Sequence, residues 1–169
     1  MSTITSPLAE QALNDGSNPA CTTPGGSLTY EELYARTDAA ARRLEAEGIH
    51  AGDHLGILME KSMELFIALH VCFERGIVAA PISTRIPTDR VGEQLAQIGA
   101  HTLLTNDARR LPKNAGYRTL NAKQLLVGTS SRPEQAEEID LGRLATIVFT
   151  SGSTGRSKPA LHTYRNHYF

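Results

Sequence analysis

The segment HLGILMEKSMELFIALHVCFERGIVAAPIS, residues 54–83, changes its hydrophobic rhythm twice, and its reading decides the fold. Leu55 to Met59 and Ile77 to Ile82 are runs free of charge, as strands covered on both faces are. Between them, Met63 to Arg75 is long enough for several helical turns, and Gly76 stands where a helix would end in a left-handed residue. Strand, helix and strand in this order make a β-α-β unit, whose strands must run parallel. The expected fold class is α/β, a mostly parallel sheet with flanking helices.

The same pattern continues on both sides. Upstream, SLTYEELYARTDAAARRLEAEG (27–48) places Thr29 three residues before Glu32, the spacing of a capping box, and Gly48 just past the last periodic residue. Tyr30, Leu33, Thr37, Ala40 and Leu44 share one face of that helix, while Arg36, Arg42, Arg43 and Glu47 lie mostly off it. Downstream, PTDRVGEQLAQIGA (87–100) reads as a helix, HTLLT (101–105) as a strand and YRTL (117–120) as a short further strand. VGTSSRPEQAEE (127–138) has no periodicity and reads as an exposed connection, after which LATIVFT (144–150) is a buried strand. Residues 1–24 form a polar lead with no basic or apolar targeting region, and 25–169 one α/β unit.

Composition narrows the partners. Seventeen Lys+Arg against eighteen Asp+Glu give a formal charge of -1, which offers no electrostatic footprint for nucleic acid. No apolar run reaches membrane-spanning length. Cys21 and Cys72 are far apart and in no metal-ligand spacing, so both read as free thiols of a reducing, cytoplasmic setting. The six histidines form no cluster with carboxylates or thiols, and no protein metal site is expected. Small molecules remain as the expected partners, and the sequence leaves the oligomeric state open.

Behind the last buried strand comes TSGSTGRSK, residues 150–158. Gly152 and Gly155 permit backbone conformations that place successive N–H groups on a concave surface. Thr150, Ser151, Ser153 and Thr154 add hydroxyl donors, and Lys158 adds a cation within reach. A phosphate chain is the natural guest. The Walker pattern does not fit, because the two glycines are three apart and Lys158 does not follow a glycine.

This stretch resembles the phosphate loop of the AMP-forming adenylating enzymes, [TS]-S-G-[ST]-T-G-x-P-K-G-V followed by Ser/Thr and commonly His. Thr150, Ser151, Gly152, Ser153, Thr154, Gly155 and Lys158 match, with Thr163 at the later hydroxyl position. Ser157 stands where the pattern has Pro, Pro159 where it has Gly or Ala, and Tyr164 where it has His. The resemblance extends to LTYEEL (28–33), GDHLGILMEKSMEL (52–65) and GIVAAPISTRIP (76–87), and so covers about residues 25–169.

The resemblance implies the partial N-terminal domain of an adenylate-forming ligase, which joins a carboxylic acid to the α-phosphate of ATP and then to coenzyme A. It implies that Thr150, Ser151, Gly152, Ser153, Thr154 and Gly155 hold the ATP phosphates and that Lys158 offsets their charge as the catalytic cation. His162 and His167 are the residues expected nearest substrate. Magnesium would accompany ATP, with its ligand expected outside this chain. The family's later motifs are not found before Phe169, so a truncation after the phosphate loop and an inactive fragment are expected. TYRNH (163–167) is similar to 2-succinylbenzoate–CoA ligases of menaquinone synthesis. Other acyl- or aryl-CoA ligases, peptide-synthetase adenylation domains and a non-catalytic nucleotide-binding module stand as alternatives.

Overall fold

The computed structural model describes residues 2–108, 111, 116–131, 133, 136, 138–150 and 157–168. In chain order its elements are β1 (Thr3–Thr5), α1 (Pro7–Asn14), β2 (Pro19–Thr23), β3 (Gly26–Thr29), α2 (Tyr30–Ala46), β4 (His54–Leu58), α3 (Met63–Arg75) and β5 (Val78–Pro81). There follow α4 (Asp89–Gln97), β6 (Thr102–Thr105), β7 (Arg118–Asn121), α5 (Ala122–Leu125), β8 (Glu138–Asp140), β9 (Leu144–Thr150), β10 (Lys158–Thr163) and α6 (Tyr164–Tyr168).

Among the described residues the main sheet has six strands in the order β10-β9-β5-β4-β6-β7. All neighbouring pairs are parallel except β9 with β10, an antiparallel hairpin at one edge. The chain moves from β4 to β5 on one side and then returns past β4 to β6 on the other. A right-handed crossover places its helix on opposite faces for opposite directions of travel. Accordingly α3 packs with Leu55, Ile57, Ala79 and Leu104 on one face, and α4 packs with Val78, Ala80, Leu103 and Ile147 on the other.

Local chemistry explains the helix ends. Thr29 accepts from Glu32 N–H at 3.2 Å and Glu32 accepts from Thr29 N–H at 2.9 Å, which is the capping box read from the sequence. Ser62 caps α3 at its start, and Gly76 ends it with φ of 64°. Gly56 serves the opposite need, close approach: a Cβ there would lie 2.4 Å from Leu95 Cδ2, so its absence lets α4 settle on the sheet.

The polar lead takes part in the fold. Pro7 occupies the first turn of α1, and Ser6 accepts from Ala9 N–H at 3.2 Å while donating to the Glu74 carboxylate of α3. Leu8, Ala9 and Ala12 are buried, and β2 pairs with β3 as a second small sheet. Composition concealed this because the helix is only eight residues long and is flanked by Ser, Thr, Asn and Asp. Among α2's polar side chains, Asp38 is buried and bonded to Arg42 and Arg75, in contrast to the solvated charges around it. No described helix is long and apolar enough to cross a membrane.

Candidate phosphate-binding site

β9 enters the sheet parallel to β5, with Ala79 opposite Thr146, and so ends at the same edge as the carboxyl ends of β4, β5, β6 and β7. That edge is where open α/β sheets receive ligands. Thr150 is the last residue of β9 and Lys158 the first of β10, and the two are paired in register. Thr150 Oγ1 donates to the Lys158 carbonyl oxygen at 3.2 Å. Lys158 is exposed and makes no ion pair among the described residues. Ser151, Gly152, Ser153, Thr154 and Gly155 lie outside the described residues.

Why the hairpin forms here follows from the sequence of β10, KPALHT. Pro159 cannot donate to a ladder and is admitted because β10 is an edge strand, opposite Phe149. Ser157 turns to α4, where its Oγ accepts from Gln94 Nε2 at 2.8 Å. Sequence reasoning missed Gln94; its signal was a polar residue between Val91 and Leu95 on the apolar stripe of α4.

The histidines stand on the other face of the hairpin. His162 pairs with Thr146, and its ring centroid lies 5.9 Å from that of His167. His167 Nε2 is 2.9 Å from Thr146 Oγ1, and its ring meets Phe73 edge-on at 5.3 Å. Burial, with His162 beside it, holds the His167 pKa below its ordinary value. The two residues are thus together, with His167 against Phe73 of α3, and His162 stands four residues along β10 from Lys158. Thr163 donates to Asn166 Oδ1 through N–H and Oγ1, at 2.9 and 3.0 Å, on entry to α6. Tyr164 is 1% exposed and donates to the Phe73 carbonyl at 2.8 Å.

Two clefts open near the carboxyl edge. One of about 290 Å³ lies beyond β4 and β6, lined by Met59, Glu60, Asn106 and Asp107 among others. The second, of about 240 Å³, lies beside Ser157 and Gln94 and shares Ile86 with the first. Among the described residues no three His, Cys, Asp or Glu side chains are gathered to hold a metal. Cys72 is fully buried, and burial pushes its thiol up to about 12, so it supplies no nucleophile.

Comparison with known proteins accords with the fold. The 2-succinylbenzoate–CoA ligase of Bacillus subtilis (strain 168) is 29% identical over 144 residues, which are 85% of this chain and 30% of that protein. Surfactin synthase subunit 3 of the same organism is 30% identical over 153 residues, covering 88% of this chain and 12% of the synthase. The solved structure of O-succinylbenzoate coenzyme A synthetase from Bacillus subtilis, in complex with AMP, superposes with a TM-score of 0.87 at 27% identity. That superposition takes in 99% of this chain and 44% of the other. The chain therefore spans under half the length of these relatives. Residues 8–169 match the family described as AMP-binding enzyme, and the chain belongs to that family.

Proposed function

We propose that this chain is the phosphate-gripping N-terminal portion of an ATP-dependent, AMP-forming acid–CoA ligase, acting on 2-succinylbenzoate in menaquinone biosynthesis. The observation that carries the reading is the in-register pairing of Thr150 with Lys158 at the carboxyl edge of the sheet. It ties both ends of the Ser/Thr/Gly-rich segment to one hairpin, so that Thr150 and a cation unpaired among the described residues stand at its two ends.

In the reaction, a carboxylate oxygen attacks the α-phosphorus of ATP, the bond to the β-phosphate oxygen breaks, and pyrophosphate leaves. The thiol of coenzyme A then attacks the acyl carbon, forming the thioester as AMP departs and the thiol proton is released. On this reading Lys158 offsets charge on the β- and γ-phosphates while Thr150, Ser151, Gly152, Ser153, Thr154 and Gly155 fix their position. No protein nucleophile is required, since positioning and electrostatic stabilisation carry phosphoryl chemistry of this kind. Magnesium travelling with the nucleotide would neutralise further charge, and no described cluster is built to hold it. His162 and His167 serve the packing of α6 under this reading.

The acid is proposed from the relatives' names together with TYRNH at 163–167. A peptide-synthetase adenylation domain is the second reading, favoured by the similarity to surfactin synthase subunit 3. The test is titration of this chain with ATP and with pyrophosphate, followed in the complete ligase by ATP–pyrophosphate exchange with 2-succinylbenzoate and with amino acids. Lys158→Ala should weaken polyphosphate binding by about tenfold or more, the loss of one charge-assisted contact. Binding unaffected by Lys158→Ala would overturn the site, and exchange driven only by an amino acid would favour the second reading.

A further inference from the structure

Gln94 is out of place for a residue whose work is packing. It lies on α4 between Val91 and Leu95, in the cluster that joins this helix to the sheet, and is 6% exposed. Its Nε2 donates to Ser157 Oγ at 2.8 Å, while Oε1 is buried with no hydrogen-bond partner among the described residues. Turning the amide over would exchange the roles and still leave one polar atom unpaired among the described residues. An orphaned buried polar atom costs stability, so an apolar side chain of the same length would serve the core better.

Ser157, the residue so bonded, directly precedes Lys158. Its contact spans 63 positions in sequence and is the one side-chain hydrogen bond among the described residues that joins a helix to the end of the phosphate segment. The hairpin itself secures the chain from Lys158 onward through the pairing with Thr150. Ser157 lies just outside that ladder, and the Gln94 amide supplies its side chain with a fixed partner.

We propose that Gln94 is a positioning residue for polyphosphate binding, acting through Ser157 to fix the backbone that leads into Lys158. The inference rests on the phosphate-site reading above. It assigns a functional reason to a polar group that stability alone would remove, and it extends the site from the β9–β10 hairpin to α4.

The test is Gln94→Met, Ser157→Ala and the double variant of this chain, each titrated with inorganic tripolyphosphate by calorimetry and each melted. Gln94→Met should weaken tripolyphosphate binding about three- to tenfold, the effect of one neutral hydrogen bond, while its melting temperature holds or rises. Ser157→Ala should weaken binding by a similar factor. The double variant should be no weaker than either single one, because both remove the same contact. A lower melting temperature with unchanged affinity in Gln94→Met would make the contact a structural tie and overturn the proposal. Additive losses in the double variant would overturn the route through Ser157. Lys158→Ala run alongside separates the two levels. If it leaves affinity intact, the phosphate site itself fails; if it abolishes binding while Gln94→Met does nothing, only the role of Gln94 fails.

Discussion

Replacing Tyr164 by Phe should destabilise the fold without touching ligand affinity. Tyr164 is 1% exposed and its hydroxyl donates to the Phe73 carbonyl at 2.8 Å, within the last turn of α3. Carbonyls there have outrun their helical partners. The Ile77 N–H, which would have served Phe73, bonds instead to the Cys72 carbonyl at 3.0 Å as the chain leaves through Gly76. The tyrosine hydroxyl fills that vacancy. Tyr164→Phe keeps the ring against Phe73 and Tyr168 and removes only the donor. The expected cost is about 1–3 kcal/mol for the unpaired carbonyl. In a chain of this size each kcal/mol corresponds to roughly 2–4 °C in Tm. Urea unfolding followed by circular dichroism would measure the change, with the m-value constant because the surface exposed is the same. Stability within about 0.5 kcal/mol of the parent would refute the account, since that is the scatter of neutral surface substitutions.

Two further outcomes follow from burial. Gly56→Ala would place a Cβ 2.4 Å from Leu95 Cδ2 and 3.0 Å from Leu103 Cδ1, so these buried leucines must turn or α4 must lift from β4. A loss of about 1–3 kcal/mol by denaturant titration is expected from such overpacking, and none would mean that the two leucines repack freely. His70, edge-on to Phe66 at 4.6 Å and one turn from Glu74, has its pKa lowered by burial from 6.5 to about 4. The unfolded chain therefore binds the proton that the folded one refuses, and stability present above pH 6.5 is lost as pH falls toward 4. That interval is worth up to about 3 kcal/mol, and His70→Gln should flatten the slope of stability against pH across it. An unchanged slope would count against burial as the cause.

How much was legible in the sequence depended on whether a signal was local. The capping box at Thr29 and Glu32, the glycine stop at Gly76 and the β-α-β unit around them rest on neighbouring residues, and the structure has them. The sheet is parallel as expected except for β10, whose antiparallel pairing depends on a hairpin that PALHT did not disclose. α1 did leave a trace, Ser6 followed by Pro7, which the polar composition outweighed. The burial of Asp38 and the role of Gln94 were beyond reach because the contacts that decide them, to Arg75 and Ser157, lie 37 and 63 positions away. Of the proposed site, residue types and spacing were readable, whereas the register of Thr150 with Lys158 and the tie to α4 belong to tertiary structure.

The hairpin of β9 and β10 also carries a rule of parity. Side chains along a strand emerge on alternate faces, so whether a residue meets α4 is a matter of odd or even position. Lys158 opens the ladder, and Ser157 stands just before it. A residue inserted between Lys158 and His162 would exchange the faces of all that follows, whereas one inserted before Ser157 alters the span of the connection and leaves every pair intact. The ladder already holds one odd step, a shift between His162 and Thr163 that carries the chain off the edge and into α6. Natural variation in length is therefore expected on the two sides of β10 and not within it, so that the connection can be refitted to a different ligand while the cation and the helix contact keep their faces.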